Sequence, residues 1–519
     1  MRIFSAVGSV LALGVLGFGL VASAHAAITL TVGKNINITK TAGNNAEECI
    51  AINPANPVNL FMSETWALVT KYSEDGGITW SDSNIDALGS SIGDVSAAFD
   101  SFGNLFLTRF GSSQRIVVGL STDGGATFSL LYSTSSVGDD QPTIVTGPSA
   151  VPGVGSVWIG YTTSQGLVRF VAQGANVTGP GTVGSFSAAQ ATSVNDGGVF
   201  GDIVVGPAGQ IAVAYQLRSS DAGPDTIHYA LDSDGTGPSG FGPVTNPTTT
   251  QVGAFTPIPA QPSRTIGTEV GLAWDGSGGP FNGRLYMMYT DRASTASDDT
   301  DIYVRYSNDN GSTWSSPARV NDDTLGNGKS QFLPRIALDR TSGYIAISWY
   351  DCRNSPGNDT AEVWATISTD GGETFLPNVK VSAGMSSGVV AAVSDFNFGD
   401  YTGLAFHGGT FYPCWADNSN STGDNPGGTL GPFDIYTARV TVNIPLVMLN
   451  PHYVNGRFIA TIRTTAAQTF YLESTDSLSP ASWVTRVSMA GDGTLHDLID
   501  TSAYVPQRFY RIRAEVRSQ

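Results

Sequence analysis

The sequence has few cysteines and few basic residues. Cys49, Cys352 and Cys414 are the three cysteines among 519 residues, so at most one disulfide can form, and disulfides cannot hold together a fold of this size. We interpret all three as buried free thiols. Lys and Arg number 26 against 44 Asp and Glu, which gives a net charge of −18. So acidic a chain repels phosphate backbones, and we therefore expect no nucleic-acid partner.

Other missing features exclude further classes of protein. Charged residues make up 13% of the chain and hydrophobic residues 41%, which excludes a charge-rich disordered protein. The five histidines are scattered without the spacing of metal ligands, so we predict no metal centre. The sequence contains neither a phosphate-binding loop nor the nucleophile elbow of serine hydrolases. No helical pattern of apolar residues interrupts the strand patterns, so the chain is predicted to be all-β.

The first 26 residues are typical of a secretory signal peptide. Arg2 precedes an apolar run from Val7 to Val21, and Ala24-His25-Ala26 supplies small residues for cleavage after Ala26. The run is short for a membrane span, and no cysteine follows the cleavage site to carry a lipid, so a membrane anchor is the weaker alternative. No later segment is long and apolar enough to span a membrane. We expect a protein that is secreted, periplasmic or at the cell surface and does not span a membrane.

An octapeptide of the form Ser-x-Asp-x-Gly-x-Thr-aromatic occurs four times, beginning at Ser73, Ser121, Ser307 and Ser368. The copies start 48, 186 and 61 residues apart, and the middle gap fits three periods of about 62 residues, which indicates a repeat architecture. Ser and Asp side chains can bond nearby backbone N–H groups, and Gly can adopt positive φ, so the octapeptide predicts a stapled hairpin turn. It lacks the dense acidic spacing of a calcium-binding hand. Its aspartates are therefore predicted to be structural: Asp75, Asp123, Asp309 and Asp370.

A second repeat consists of two alternating strands joined by a turn rich in Asp, Gly, Asn or Pro. It occurs seven times, over Cys49–Ser63, Val95–Thr108, Thr143–Tyr161, Ile203–Tyr215, Val270–Tyr289, Arg335–Trp349 and Tyr401–Trp415. A third strand follows, and the octapeptide, where present, joins it to a fourth. Four-stranded units repeated every 50–60 residues or so are typical of propeller blades.

The pattern predicts a seven-bladed β-propeller, with six blades as the alternative. The last unit lacks a fourth strand, and the unused strand Asn35–Lys40 resembles one, so we expect the N-terminal strand to complete the last blade. After Val442 the blade pattern stops, and residues 446–519 are predicted to form a small β-sandwich-like domain. The predicted organisation is thus a signal peptide (residues 1–26), a propeller (27–445) and a C-terminal domain (446–519).

The octapeptide resembles the Asp-box, or bacterial neuraminidase repeat, of the sialidase-like propellers, and this resemblance covers about residues 30–443. It implies that the octapeptides lie on the face opposite the active site. The same box occurs in glycan-cleaving enzymes and in propellers without known chemistry, so it does not by itself imply catalysis. Sialidases hold the sugar carboxylate with three Arg and use an acid Asp and a Tyr nucleophile activated by Glu. Their first Arg lies in an Arg-Ile-Pro element before the first Asp-box, whereas here no Arg occurs between Arg2 and Arg109. Pro334-Arg335-Ile336 has a different order and lies in the sixth unit.

The loops on the opposite face carry the candidate site. Three second strands end in an aromatic-x-Asp pattern, which predicts Asp291, Asp351 and Asp417 as catalytic carboxylates. Aromatic faces can stack on sugars, and Arg can hold an anionic group. The predicted ligand-binding residues are Arg264, Arg292, Arg353, Tyr289, Trp349 and Trp415. The alternative is structural: Asp and Arg at strand ends pair between blades and cap loops.

Together these features predict an exported, monomeric, sialidase-like propeller that recognises a glycan or glycoconjugate. Whether it is also a glycoside hydrolase of exo-sialidase type stays open at this point. The alternative is a non-catalytic propeller that serves as a protein-binding or cell-surface scaffold. No cofactor is predicted, apart from the alternative of calcium at Asp298, Asp299 and Asp301.

Overall fold

A computed structural model describes residues 3–6, 9–13, 27–112, 114–135, 139–163, 169–192, 198–464, 468–491, 494–503 and 507–516. The predicted signal-peptide cleavage site, Ala26, lies outside these residues. The described strands pair antiparallel, and the one helix described is a short 3-10 helix, Asp86–Leu88. The described part of the chain contains no helix long and apolar enough to cross a membrane.

Between residues 29 and 443 the described strands form seven sheets of four or five strands, and we number the sheets in the order of their first strands. Sheet 1 contains Glu48–Ile52, Leu60–Glu64, Thr70–Ser73 and Ser81–Asp82. Sheet 2 contains Ser91–Phe99, Leu105–Gly111, Ile116–Ser121 and Ser129–Ser133. Sheet 3 contains Asp139–Pro148, Gly155–Thr163, Arg169–Gly179, Thr182–Val183 and Gln190–Ala191. Sheet 4 contains Gly198–Val205, Ile211–Leu217, Asp225–Asp232 and Thr245–Thr250.

A two-stranded hairpin, Thr256–Ile258 with Gln261–Ile266, follows sheet 4. Sheet 5 contains Gly271–Trp274, Leu285–Arg292, Thr300–Ser307 and Ala318–Arg319. Sheet 6 contains Gln331–Leu338, Ile345–Asp351, Glu362–Ser368 and Val379–Lys380. Sheet 7 contains Gly403–His407, Thr410–Asp417, Asp434–Asn443 and Thr29–Asn37.

The first strands of the sheets surround a central channel. Each first strand contacts the first strand of the next sheet, and that of sheet 7 contacts that of sheet 1. Residues from all seven first strands line the space between them. The apolar side chains of the outer strands pack between neighbouring sheets, where Trp158, Trp349 and Trp415 are among the largest fully buried side chains. Burial of this apolar surface is the main stabilising contribution to such an arrangement.

The N-terminal strand completes sheet 7, as predicted. Thr29–Asn37 pairs antiparallel with Asp434–Asn443, with Thr29 opposite Asn443 and Asn37 opposite Tyr436. The strand begins earlier and ends earlier than the predicted range of residues 35–40. Backbone hydrogen bonds between the two ends of this region therefore close the ring of sheets.

The four octapeptides form the predicted stapled turns between third and fourth strands. In the first, Asp75 Oδ1 accepts from the Thr79 amide at 2.9 Å and Asp75 Oδ2 from the Thr79 hydroxyl at 2.7 Å. The Ser73 hydroxyl donates to Asp75 and accepts from the Gly77 amide, each at 2.9 Å. Gly77 has a φ of 83°, which favours glycine. Equivalent contacts hold Asp123, Asp309 and Asp370, and the structural role of the four aspartates stays a prediction that these contacts support.

The C-terminal strands form two further sheets. One contains Leu449–Val454, Arg457–Arg463 and Leu495–Asp500. The other contains Gln468–Thr475, Val484–Ala490 and Phe509–Val516, to which Ser9–Leu13 and then Ile3–Ala6 are added. Side chains of this region, including Phe458, Phe470 and Ile512, form a hydrophobic cluster of their own. The predicted boundary at residue 446 stays a prediction.

All three cysteines are free thiols, as expected. Cys352 and Cys414 are fully buried, whereas Cys49 is half-buried. Burial raises the pKa of each thiol, that of Cys49 to about 12. The thiols are therefore unreactive at neutral pH.

Candidate functional site

Two of the predicted catalytic aspartates are clamped by the tryptophan two residues before them. Asp351 Oδ2 accepts from Trp349 Nε1 at 2.8 Å, and Asp351 Oδ1 accepts from the Arg353 amide at 2.8 Å. Asp417 repeats this arrangement with Trp415 Nε1 at 3.0 Å and the Ser419 amide at 2.7 Å. Both carboxylates are buried. The Trp-x-Asp pattern thus ties the end of a second strand to the loop that follows it.

Asp291, the third predicted catalytic residue, also caps a loop. Its Oδ1 accepts from the amides of Gln251 at 2.7 Å and Arg292 at 2.8 Å. Burial raises the pKa of the Asp291 carboxyl and lowers that of the Arg292 guanidinium. The Arg292 side chain donates only to backbone carbonyls among its described contacts, those of Gln251, Ser297 and Ala222. The hydroxyl of Tyr289, a predicted ligand-binding residue in the same strand, accepts from Arg305 at 3.3 Å.

The Arg353 side chain also has several partners within the protein. It forms ion pairs with Asp351 at 2.9 Å and with Asp322 at 2.7 Å, and its guanidinium lies 4.1 Å from the ring centre of Trp364. In the described part of the chain, direct contacts join Asp351 with Arg353 but join neither of them with Asp291 or Asp417. These are the contacts that the structural alternative expects. The catalytic assignment of the three aspartates stays a prediction.

The acidic loop considered for calcium makes protein contacts. Asp301 accepts from Arg319 Nε at 2.6 Å and from Asn321 Nδ2 at 2.7 Å, and Asp299 accepts from the Lys329 amide at 3.1 Å. The residues described contain no group of three or more His, Cys, Asp or Glu side chains arranged to hold a metal ion. Calcium binding there has no geometric support.

Arg264, a predicted ligand-binding residue, lies next to one mouth of the central channel, because its partners Glu47 and Asp400 directly precede Glu48 and Tyr401, which line that mouth. It belongs to the hairpin between sheets 4 and 5. Its Nε donates to Asp400 Oδ1 at 2.7 Å, and its Nη2 donates to Asp400 Oδ2 and, at 2.9 Å, to Glu47 Oε1. Asp400 precedes the first strand of sheet 7 and Glu47 precedes that of sheet 1. Arg264 therefore joins two carboxylates across the closure of the ring.

Other acidic side chains line the mouth itself, a space of about 150 Å³. Glu48, Asp94 and Glu269 contribute to its walls, together with Arg335 and Tyr401. The first strands are irregular here. The pairing register shifts next to Asp94, Asp140, Asp202 and Arg335. Such bulges redirect side chains and are frequent beside binding sites.

The backbone at this mouth is also strained. Non-glycine residues adopt positive φ at Glu47 (59°), Asp94 (38°), Gln141 (51°) and Glu269 (48°). Left-handed conformations of such residues cost free energy and persist where the surrounding structure enforces them, which is common in functional sites. Three of the four strained residues are acidic, which supports a functional role for this end of the channel.

Several carboxyl groups at the mouth have raised pKa values. Burial and the nearby charge of Asp400 raise the pKa of Glu47 to about 7, although Arg264 opposes this shift. Burial and Asp400 likewise raise the pKa of Glu269 to about 8. Burial and the neighbouring Asp140 raise the pKa of Asp94 well above its usual range. These carboxyl groups therefore hold their protons more tightly than exposed acids do.

Tyr401 and Arg335, two further polar residues of the mouth, differ in how many of their hydrogen-bonding groups have a partner. The Tyr401 hydroxyl accepts from the Val95 amide and pairs with the Thr65 hydroxyl, each at 3.0 Å, and burial raises its pKa. It is held as a neutral phenol that links sheets 7, 1 and 2. Arg335 is half-buried, and its one described polar contact is to Asp202 at 4.0 Å. Its donors are thus available to a ligand.

An exposed tryptophan stands beside Arg264. Trp66 is 43% exposed, stacks on Phe396 with ring centres 4.6 Å apart, and lies 5.9 Å from the Arg264 guanidinium. The buried carboxyl of Glu64 accepts from the amides of Trp66 at 2.8 Å, Ala67 at 3.0 Å and Val69 at 2.5 Å. These three bonds fix the loop, so Trp66 is presented with little conformational freedom.

Sequence reasoning found Arg264 but missed most of the mouth. The predicted catalytic residues lie at the ends of the second strands, whereas the acidic residues of the mouth lie near the beginnings of the first strands. A usable signal was present, because the residue before the predicted first strand is acidic in most units: Glu48, Asp94, Asp202, Glu269 and Asp400.

The comparisons with known proteins do not identify a family. No family model and no curated protein matches the sequence. Among solved structures, a protein of unknown function from Dyadobacter fermentans is 11% identical, covers 80% of this chain and 99% of its own, and has a TM-score of 0.41. The α-L-arabinanase of Penicillium chrysogenum is 14% identical over 67% of this chain and 92% of its own, with a TM-score of 0.41. The GH74 enzyme of Niastella koreensis is 13% identical over 85% of this chain and 78% of its own, with a TM-score of 0.37. At these values the similarities carry no argument about function, and the resemblance to sialidase-like propellers remains a prediction.

Proposed function

We propose that the chain is an exported, seven-bladed, sialidase-like propeller that binds a glycan at the acidic mouth of its channel and hydrolyses a glycosidic bond there. One observation carries the proposal. A buried acid with a pKa of about 7, Glu47, faces a second carboxylate, Asp400, on the same guanidinium group. An acid that keeps its proton up to about pH 7 beside a second carboxyl group is the kind of pairing that glycoside hydrolysis uses.

The roles follow from burial and contacts. Glu47 is the more buried, with its side chain 2% exposed, and holds the proton that would go to the leaving oxygen. Asp400, 18% exposed and bound by two nitrogens of Arg264, is assigned as the carboxylate that stabilises or attacks the anomeric carbon, because the guanidinium favours its ionised form although burial raises its pKa. Both accept from Arg264 Nη2, so the two carboxyl groups are direct neighbours, and closely spaced carboxyl groups, about 5–5.5 Å apart, are typical of retaining enzymes. Because the two groups are so close, their proton belongs to the pair.

The surroundings favour a neutral sugar over sialic acid. The mouth carries more carboxyl groups than guanidinium groups, so a sugar carboxylate would be repelled unless Arg335 pairs with it. Trp66 supplies an aromatic face at the rim, on which the apolar face of a sugar ring can stack. A sialoside remains the second substrate class to test.

The second candidate function is a non-catalytic scaffold. The observation that favours it is that the Arg264 guanidinium already forms ion pairs with Glu47 and Asp400. A ligand would have to displace or join these bonds. Under this alternative, the mouth binds a partner or no ligand at all, and its ion pairs hold the ring closed.

A panel of fluorogenic glycosides, including arabinosides, glucosides and a sialoside, tests the proposal. We expect turnover of at least one glycoside, and a loss of about 100-fold or more in kcat for Glu47→Gln and for Asp400→Asn, because each removes a proton-transfer or charge-stabilising group. Glu74→Gln is the matched control, because Glu74 is exposed and has no described side-chain partner. Saturable glycan binding without turnover of any glycoside would instead support the scaffold.

We also propose the domain organisation of a cleaved signal peptide, a monomeric propeller over residues 27–445 and a separate C-terminal domain. The separate hydrophobic cluster around Phe458, Phe470 and Ile512 supports the last boundary. A chain ending at residue 445 should fold and keep the activity of the propeller. Aggregation of that chain would show that the two parts share a core.

A further inference from the structure

The central channel widens, at the end opposite the acidic mouth, into a cavity of about 950 Å³, which we call the lower cavity. The last residues of the first strands and the turns after them surround it. Its walls are mostly apolar and include the large side chains of Phe99, Phe102, Trp274, Leu338 and Phe406. A concave space of this volume with apolar walls and few polar groups is typical of sites that enclose a small molecule.

The lower cavity contains one cation and no carboxylate. Arg340 and His407 are the titratable side chains among the lining residues, in a chain whose net charge is −18. Burial lowers the pKa of His407, so the imidazole is neutral at pH 7 and Arg340 supplies the charge. Arg340 extends from the hairpin turn of sheet 6 across the channel to sheet 3, where its Nη2 donates to the Thr146 carbonyl at 3.1 Å.

The guanidinium of Arg340 is left without a counter-ion among the described residues. A guanidinium has five N–H donors, and the described contact uses one nitrogen. The adjacent carboxylate of Asp339 is occupied, because it accepts from the amides of Thr341 at 2.9 Å, Gly408 at 3.1 Å and Gly409 at 2.8 Å. Arg340 is an exposed side chain without a described counter-ion, so an anion that enters between the apolar walls of the cavity can form a charge-assisted, bidentate interaction with it.

We propose that the lower cavity binds a small-molecule carboxylate with an apolar body, such as a medium-chain fatty acid. The carboxylate pairs with Arg340, and the hydrocarbon packs against the aromatic and aliphatic walls. Burial of the hydrocarbon contributes about 25 cal/mol for each Å² removed from water. The site lies on the face of the octapeptide turns and does not depend on the function proposed for the acidic mouth.

Calorimetric titration of the full chain with decanoate tests the proposal, with decanol as the uncharged probe and both ligands below the concentration at which they aggregate. We expect one decanoate to bind per chain, at least about tenfold more tightly than decanol, because a hydrogen-bonded charge pair forms. Arg340→Met should remove that tenfold preference and leave decanol binding within about twofold. Arg340→Lys, which keeps the charge, should retain part of the preference for decanoate over decanol.

Three results would overturn the proposal: no saturable decanoate binding, equal affinity of the wild-type chain for decanoate and decanol, or an unchanged decanoate affinity in Arg340→Met. The second comparison uses only the wild-type protein, so it decides the question even if a variant fails to fold. Glycoside turnover measured with saturating decanoate separates the two sites. It should be unchanged, whereas competitive inhibition would place decanoate in the acidic mouth and refute binding to the lower cavity.

Discussion

Arg264 and Asp400 form a two-nitrogen ion pair across 136 residues of sequence, with Nε and Oδ1 2.7 Å apart. The pair ties the hairpin between sheets 4 and 5 to the beginning of sheet 7. The same guanidinium reaches Glu47 of sheet 1, so one side chain fixes the relative position of two carboxyl groups. Geometry of this kind is what paired-carboxylate chemistry needs, because acid and carboxylate must be held a few ångströms apart.

Trp66 is expected to be a platform for the sugar. Trp66→Ala should weaken glycoside binding by about tenfold, since a stacked aromatic face contributes roughly 1 kcal/mol or more, and should raise KM with a smaller effect on kcat. Trp66→Phe should keep most of the affinity. The melting temperature should change little, because the side chain is 43% exposed. Kinetics on the best substrate of the panel measure this, and an equal loss for Ala and Phe would point to the indole N–H instead of stacking.

Stability should depend on pH through Glu269. The folded protein holds this proton more tightly than the unfolded chain does, because the pKa of Glu269 rises from 4.5 to about 8 on folding. The resulting contribution is fully present below about pH 4.5 and is lost as the pH rises to about 8. Glu269→Gln, which stays neutral, should therefore be more stable than wild type at pH 8.5 by about 1–3 kcal/mol and have a flatter pH profile.

Thermal melts from pH 5 to pH 8.5 measure this difference. Glu74→Gln is the control and should keep the wild-type profile, because Glu74 is exposed. Identical profiles for Glu269→Gln and wild type would show that Glu269 is ionised in the folded protein, contrary to the expected environment of the mouth.

Much of the fold could be predicted from local patterns. The octapeptide fixes its own turn, since Asp75 bonds residues within four positions, and such short-range contacts are visible in sequence. The alternation of each strand pair and the missing fourth strand of the last unit placed the N-terminal strand in sheet 7. Its register, from Thr29 to Asn37, could not be predicted, because it depends on a partner about 400 residues away.

The candidate site was harder to predict for the same reason. Asp351 and Asp417 look reactive in sequence because each is a carboxylate near aromatics and a strand end, yet their partners are the neighbouring Trp349 and Trp415. The acidic mouth consists of residues from different sheets that meet only when the ring closes. The pKa of Glu47 depends on that closure, because burial and Asp400 raise it.

The octapeptide turns are expected to stabilise the fold without taking part in binding. Asp75→Ala leaves the Thr79 amide and hydroxyl without their acceptor and should cost about 1–2 kcal/mol, as the loss of a helix N-cap does. The neighbouring Glu74→Ala is the matched control, because Glu74 is equally exposed and makes no described side-chain bond. Denaturant unfolding measures the difference. Equal stability of the two variants would show that the staple contributes nothing.

Asp351→Asn separates the two possible locations of the active site. Asp351 is buried and pairs with Arg353 at 2.9 Å, so removal of its charge should leave a partly buried guanidinium unpaired on that side, at a cost of about 3 kcal/mol. If catalysis takes place at the acidic mouth, kcat on the best glycoside should stay within about twofold of wild type while the variant remains folded, because Asp351 contacts neither Glu47 nor Asp400 in the described structure.

Glu47→Gln should show the opposite behaviour, with kcat lost and stability kept, since glutamine resembles the protonated acid. A variant Asp351→Asn that keeps its melting temperature but loses turnover by orders of magnitude would place the active site at the ends of the second strands and refute its assignment to the channel mouth.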